Sequence, residues 1–157
     1  MLFRSWRAQL ELVARLQWAL ARRHPWLTRV ISLTRPEPLP QGMRYTEWAL
    51  RALDGVGLDA NAMLHATVSL FGYVAGIAMN FESEAQAEQD TGLTDEEWLR
   101  ARDPQLSGVL ARGAFPTLSR IVAHPGVQLD LDSLFEFGLD RLLDGLAALI
   151  AGTKAIH

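Results

Sequence analysis

A chain of 157 residues and 17.4 kDa is long enough to bury the core of one domain, and 49% apolar against 21% charged residues excludes a disordered tail. The absence of cysteine excludes a disulfide framework and a thiol nucleophile. A net charge of −3 gives no overall attraction to nucleic acid, although the charge is unevenly placed: up to Arg35 there are seven arginines against the single acid Glu11, and from Glu82 to Asp103 acids dominate. Met1-Leu2-Phe3-Arg4-Ser5 passes into an amphipathic pattern instead of an apolar signal core, so the expected location is cytoplasmic.

Ser5 is a suitable N-cap for a first helix. In that helix Arg7, Glu11 and Arg15 form a solvated stripe at i, i+4 steps, while Trp6, Leu10, Val13, Ala14 and Leu20 form the opposite apolar one. Gln17 falls on the inward stripe, where its amide must be satisfied by neighbouring backbone or meet a ligand. Pro25 ends this helix and can open a short one from Trp26 to Leu33. Arg35-Pro36-Glu37-Pro38-Leu39-Pro40 must be a loop. The next helix, about Gly42 to Leu53, places Met43, Thr46, Leu50 and Leu53 inward, and Gly55 stops it.

From Ala60 to Phe81 no residue carries a charge if His65 is neutral. With Asp59 as N-cap, this run predicts a long central helix buried in protein. It is also long enough to cross a bilayer, with GxxxG spacing at Gly72 and Gly76. Asn61, His65, Thr67, Ser69 and Asn80, and the lack of a flanking basic cluster, argue against lipid, so no membrane partner is expected.

Thr94-Asp95-Glu96-Glu97 reads as a capping box opening a short helical segment at Trp98 and Leu99. Pro104, Gly108, Gly113 and Pro116 then predict the least regular part of the chain, and His124-Pro125-Gly126 a turn. The last helix, about Ser133 to Ile150, is apolar over more than half its circumference, so part of that face needs a second surface. No segment alternates like a strand, so the expected fold is all-α, a single-domain helical bundle.

Chemistry is sparse. His24, His65, His124 and His157 stand apart, none at metal-ligand spacing, and no phosphate loop, dinucleotide fingerprint or nucleophile elbow is present. His65 is expected as a satisfied core histidine. No catalytic residue, metal or cofactor is expected, which moves the weight toward binding or regulation.

Ser5-Trp6, the Thr34-Arg35-Pro36 loop, Gly57-Leu58 leading into a long uncharged helix with Ala75-Gly76, and Phe137-Gly138-Leu139-Asp140 with Gly145-Leu146 occur in a specific order and spacing. Together they resemble the effector-binding and dimerisation domain of TetR-family transcriptional repressors, in the subgroup of the tetracycline repressor, over Trp6 to Ile150. The resemblance implies a homodimer built on the last and central helices, with Phe135, Gly138, Leu142 and Gly145 at the interface. It implies an inducer pocket at Val13, Gln17, Ile31, Arg35, Thr46, Ala49, Leu64, Thr67, Val68 and Phe71. Val13 stands where the family has the amide that grips tetracycline, Gln17 where it has an aromatic, and Ile31 where it has the magnesium-holding histidine.

Those departures imply a small apolar or aromatic effector in place of a magnesium–tetracycline complex. Full members carry an N-terminal helix-turn-helix domain, which nothing in these 157 residues supplies, so operator DNA is expected only through that missing domain. Three other classes remain: a ligand-free helical adaptor or dimerisation bundle, a small helical enzyme with Glu47 and His65 as its acid/base pair, and a membrane-embedded protein resting on Ala60 to Phe81 alone.

Overall fold

The computed structural model describes residues 5–27, 39–127 and 130–154, and its elements are all helices. They are α1 (Trp6–Arg23), α2 (Pro40–Leu53), α3 (Ala60–Ala78), α4 (Asn80–Thr91), α5 (Asp95–Leu110), α6 (Pro116–Val122) and α7 (Leu131–Lys154). Two compact units result, Met1–Phe81 with Leu131–His157, and Glu82–Asp130. The buried core belongs to the first.

Local chemistry explains the helix starts. The Ser5 hydroxyl accepts from the Ala8 amide at 3.3 Å, and the Asp59 carboxylate from the Ala62 amide at 2.7 Å, each satisfying one orphan donor. Pro40, with φ preset and no N–H to lose, begins α2 two residues earlier than the Gly42 expected. Gly55 and Gly57 turn the chain between α2 and α3 at φ of 73° and 101°, angles that a side chain would strain. The helix expected from Trp26 to Leu33 lies, beyond Leu27, outside the described residues, as does most of the Arg35–Pro40 loop.

In the first unit α1 packs on α2 and α3, and α3 packs on α7. Leu10, Ala14 and Ala21 of α1, Ala49, Ala52 and Leu53 of α2, Leu70, Val74 and Ala78 of α3, and Leu139, Leu143 and Leu146 of α7 form one dry cluster. Small residues at α2 let it approach closely, and they displace the inward face expected there: Met43 is 58% exposed, and Thr46 and Leu50 are half-buried.

Trp18 closes the cluster. Its ring stacks on Phe135 at 4.4 Å and tilts against Phe81 at 4.6 Å, and its Nε1 donates to Asp132 Oδ1 at 2.9 Å. Arg22 pairs with the same carboxylate and lies over the Phe81 ring at 5.0 Å. Further along, Arg15 reaches Glu136 at 2.9 Å, and Arg7 reaches Asp144 at 2.8 Å and Asp140 at 3.6 Å.

Three stripes therefore run along α7. Phe135, Leu139, Leu143, Leu146 and Ile150 are buried, Asp132, Glu136, Asp140 and Asp144 flank them at one-turn steps, and Leu134, Phe137, Gly145, Ala148 and Leu149 stay open. This corrects two interface residues. Phe135 is 1% exposed inside its own chain, and Gly138 faces Tyr73, whose hydroxyl shares its proton between the carbonyls of Leu134 and Phe135 at 2.9 and 2.8 Å. Leu142 is half-buried on the core, and only Gly145 of the four lies on the open stripe.

The central helix is also less buried than its composition suggests. Thr67, Leu70, Val74 and Ala78 face inward, while Asn61, Leu64, His65, Val68, Ser69 and Gly76 form an open face. By length and composition the run Ala60–Thr91 could cross a membrane, and 22% of its most apolar window is buried.

The second unit is more regular than expected. Glu, Ala and Gln favour helix without an apolar period, which accounts for α4; Gly92, at φ 68°, follows it. The capping box is present, Thr94 accepting from the Glu97 amide at 3.3 Å and Glu97 accepting from the Thr94 amide at 2.9 Å. From there α5 runs through Pro104 and Gly108 to Leu110. Proline frees the Arg100 carbonyl, and exposure on both sides leaves that carbonyl to water. The His124–Gly126 turn is closed by Gly126 N–H donating to His124 Nδ1 at 3.2 Å.

A Cβ at Gly138 would overlap the Tyr73 hydroxyl and ring, which are tied to the α7 backbone, whereas one at Gly108 meets open space. Gly138→Ala is expected to cost about 1–3 kcal/mol through overpacking, and Gly108→Ala to be neutral or stabilising by up to about 1 kcal/mol. Urea denaturation of the two variants checks this, and equal effects would contradict the close approach.

Arg22 and Trp18 hydrogen bonds hold the Asp132 carboxyl below the usual carboxylate range, and Arg7 and Arg141 do the same for Asp144. Depressed folded values mean that this stabilisation is complete above the unfolded carboxylate value near about 4 and is lost as pH falls through the folded one. Melting temperature should fall on acidification, with a shallower fall in Asp132→Asn; an identical acid slope would contradict the pairing.

Candidate functional site

The expected pocket residues divide sharply by position. Val13 on α1, Ala49 on α2 and Thr67 on α3 are all buried, on three helices that pack on one another. Gln17, Thr46 and Phe71 are half-buried. Six of these side chains are thus buried or half-buried on the three mutually packed helices, with Gln17 one turn beyond Val13 on α1.

Leu64 and Val68 differ from expectation. They are 46% and 36% exposed on the open face of α3, because Thr67 and Leu70 take the inward positions of that helix. Ile31 and Arg35 lie outside the described residues. His65, expected in the core, is exposed, and neither it nor Glu47 takes part in any described hydrogen bond or ion pair with the other.

The polar inventory of this region is small. Thr46 Oγ1 lies 3.5 Å from the Gly42 carbonyl, a bond at the limit of useful geometry. Thr67 is fully buried, and its Oγ1 has no hydrogen-bond partner among the described residues. A buried hydroxyl without a partner costs about 1–3 kcal/mol, and an orphan polar group of this kind calls for an explanation such as a ligand. No sequence signal marks it, since threonine in a helix commonly satisfies itself on the preceding turn.

A concavity of about 240 Å³ lies elsewhere, in the second unit, lined by Ser83, Glu84, Ala87, Thr91, Leu93 and Trp98. None of the expected ligand residues borders it, and it is shallow and smaller than usual small-molecule sites. Among the described residues no group of three or more histidines and acids is placed to hold a metal ion.

An all-helical fold with a long, largely uncharged central helix and a long last helix is what the sequence resemblance implies. The model of the tetracyclin repressor-like C-terminal domain matches residues 3–150. The chain belongs to that family. It is 41% identical over 147 residues to the HTH-type transcriptional repressor DrrR1 of Streptomyces coeruleorubidus, covering 94% of this chain and 53% of the relative. The chain thus spans about half the length of the curated relative it matches. Membership of a repressor-like family assigns a regulatory role, not an enzymatic one, to this tetracyclin repressor-like domain.

Thr67→Val replaces the orphan hydroxyl by a methyl of similar size. It is expected to raise unfolding stability by about 1 kcal/mol, read from a urea or thermal transition; a loss of stability would show that Thr67 has a partner.

Proposed function

We propose that this chain is the effector-sensing and homodimerisation part of a TetR-like transcriptional repressor. A small apolar or aromatic effector binds among α1, α2 and α3, with Thr67, Gln17 and Thr46 as its polar contacts and Val13, Ala49 and Phe71 as apolar wall. Family membership over residues 3–150 carries this reading. The unpartnered Thr67 hydroxyl supports the location. Ile31, Arg35, Leu64 and Val68 belong to the proposed site on the family resemblance alone.

The dimer forms through the open stripes of α7 and α3. Phe137 is 63% exposed, Leu134 lies one turn from it and Leu149 further along the same stripe, with Gly145 and Gly76 allowing close approach of a second copy. Two such faces make a self-complementary contact of the kind that closes a two-fold dimer. Polar Asn61, His65 and Ser69 on the α3 face favour a protein neighbour over lipid. Effector binding shifts the preference between two arrangements of α1 by its differential affinity for them, and DNA is reached through a helix-turn-helix domain outside these residues. The protein acts in the cytoplasm.

Native mass spectrometry tests both halves together. The expected mass is twice 17.4 kDa, with Phe137→Glu giving monomer and with any retained small-molecule adduct weakened in Gln17→Ala. A stable, ligand-free wild-type monomer would overturn the reading.

A further inference from the structure

α1 is held by two unlike contacts. Leu10, Ala14 and Ala21 lie in a dry core shared with α2, α3 and α7. Toward α7 the helix also presents Trp18 and a row of cations. Trp18 is fixed: its ring is stacked on Phe135, its N–H is bonded to Asp132, and Arg22 closes the same corner.

The N-terminal half of α1, whose Leu10 and Ala14 share the dry core with Leu139 and Leu143 of α7, adds a row of ion pairs to that helix. Arg7 reaches Asp144 and Asp140, Arg15 reaches Glu136, and Glu11 sits between the two arginines, 3.2 Å from Arg7 and 3.4 Å from Arg15. Arg141 shares Asp144 at 2.9 Å from its own helix. All these side chains are a quarter or more exposed, so salt and water reach every pair. One exposed pair is weak, but these act in one row between the same two helices.

We propose that the Arg7 and Arg15 pairs with Asp140, Asp144 and Glu136 form an ionic latch that sets how closely the N-terminal half of α1 lies on α7, with Trp18 as the fixed end. Opening the latch needs no disruption of the Trp18 corner or of the α3–α7 packing. The latch joins the helix that carries Val13 and Gln17 to the helix that carries the open Phe137 stripe. On the effector-domain reading, on which this regulatory meaning rests, it adds charge to the apolar packing that couples the two, and it makes that part of the coupling salt-sensitive.

The chain contains no cysteine, so a pair of spin labels can be placed without background. Leu12→Cys on α1 and Ala151→Cys on α7 are exposed sites, and excess unlabelled chain suppresses distances between copies. The label separation should lengthen and broaden in 1 M sodium chloride, where the screening length is about 3 Å. It should do the same in Arg15→Glu at low salt, with helix content by circular dichroism unchanged. Adding Glu136→Arg to Arg15→Glu should restore the short separation.

An unchanged separation in both salt and Arg15→Glu would overturn the latch, and so would failure of the charge swap to restore it. Neither result bears on dimer mass or on a retained effector, so the latch can fail while the sensing domain stands.

Discussion

Everything in the first unit converges on the indole of Trp18. It stacks on α7 through Phe135, touches Phe81 just past the end of α3, and gives its only hydrogen to Asp132. A tryptophan buried at this depth usually has its N–H satisfied, and here the acceptor is the Asp132 carboxylate, which is also paired with Arg22 and open to solvent. Aromatic area and one charge pair thus hold each other in place. Once that corner is set, the direction of α1 across the bundle is set too, and Leu10 and Ala14 fall onto the dry core instead of solvent.

The helices with apolar periods or explicit caps were legible from residues alone. Ser5, Asp59 and the Thr94/Glu97 box each start a helix where their side chains can accept an orphan amide. The miss at α4 and α5 has an opposite origin. Absence of an apolar period says that a helix is not buried, not that it is absent, and helix-favouring residues with one good cap carried α5 through Pro104. Proline predicts a break, yet in a solvated helix it removes a single bond.

Faces were less legible than elements. On α3 an uncharged run hides which side meets the rest of the chain, because Thr67 and Ser69 look alike in sequence while one is buried and the other exposed. On α2 the inward side is alanine, and bulky Met43 lies outside. On α7, Phe135 and Phe137 differ only in phase, and the phase is decided by Trp18 and Tyr73 on other helices. For the candidate site the resemblance supplied positions, and the structure separated the inward ones, Val13, Ala49 and Thr67, from the outward Leu64 and Val68.

The chain order of these contacts has a consequence for biosynthesis. Arg22 and Asp132 are separated by 110 residues, and Arg7 and Asp144 by 137, so the core closes only after α7 has left the ribosome. Until then Leu70, Val74 and Ala78 lack the cover that Leu139 and Leu143 later give, and the segment from Glu82 to Asp130 has to be synthesised before that cover arrives. Long-range closure of this kind is slow, and it exposes apolar surface for as long as translation takes. A nascent chain of this protein therefore presents chaperones with the inner side of α3 for the time needed to synthesise the second unit and α7.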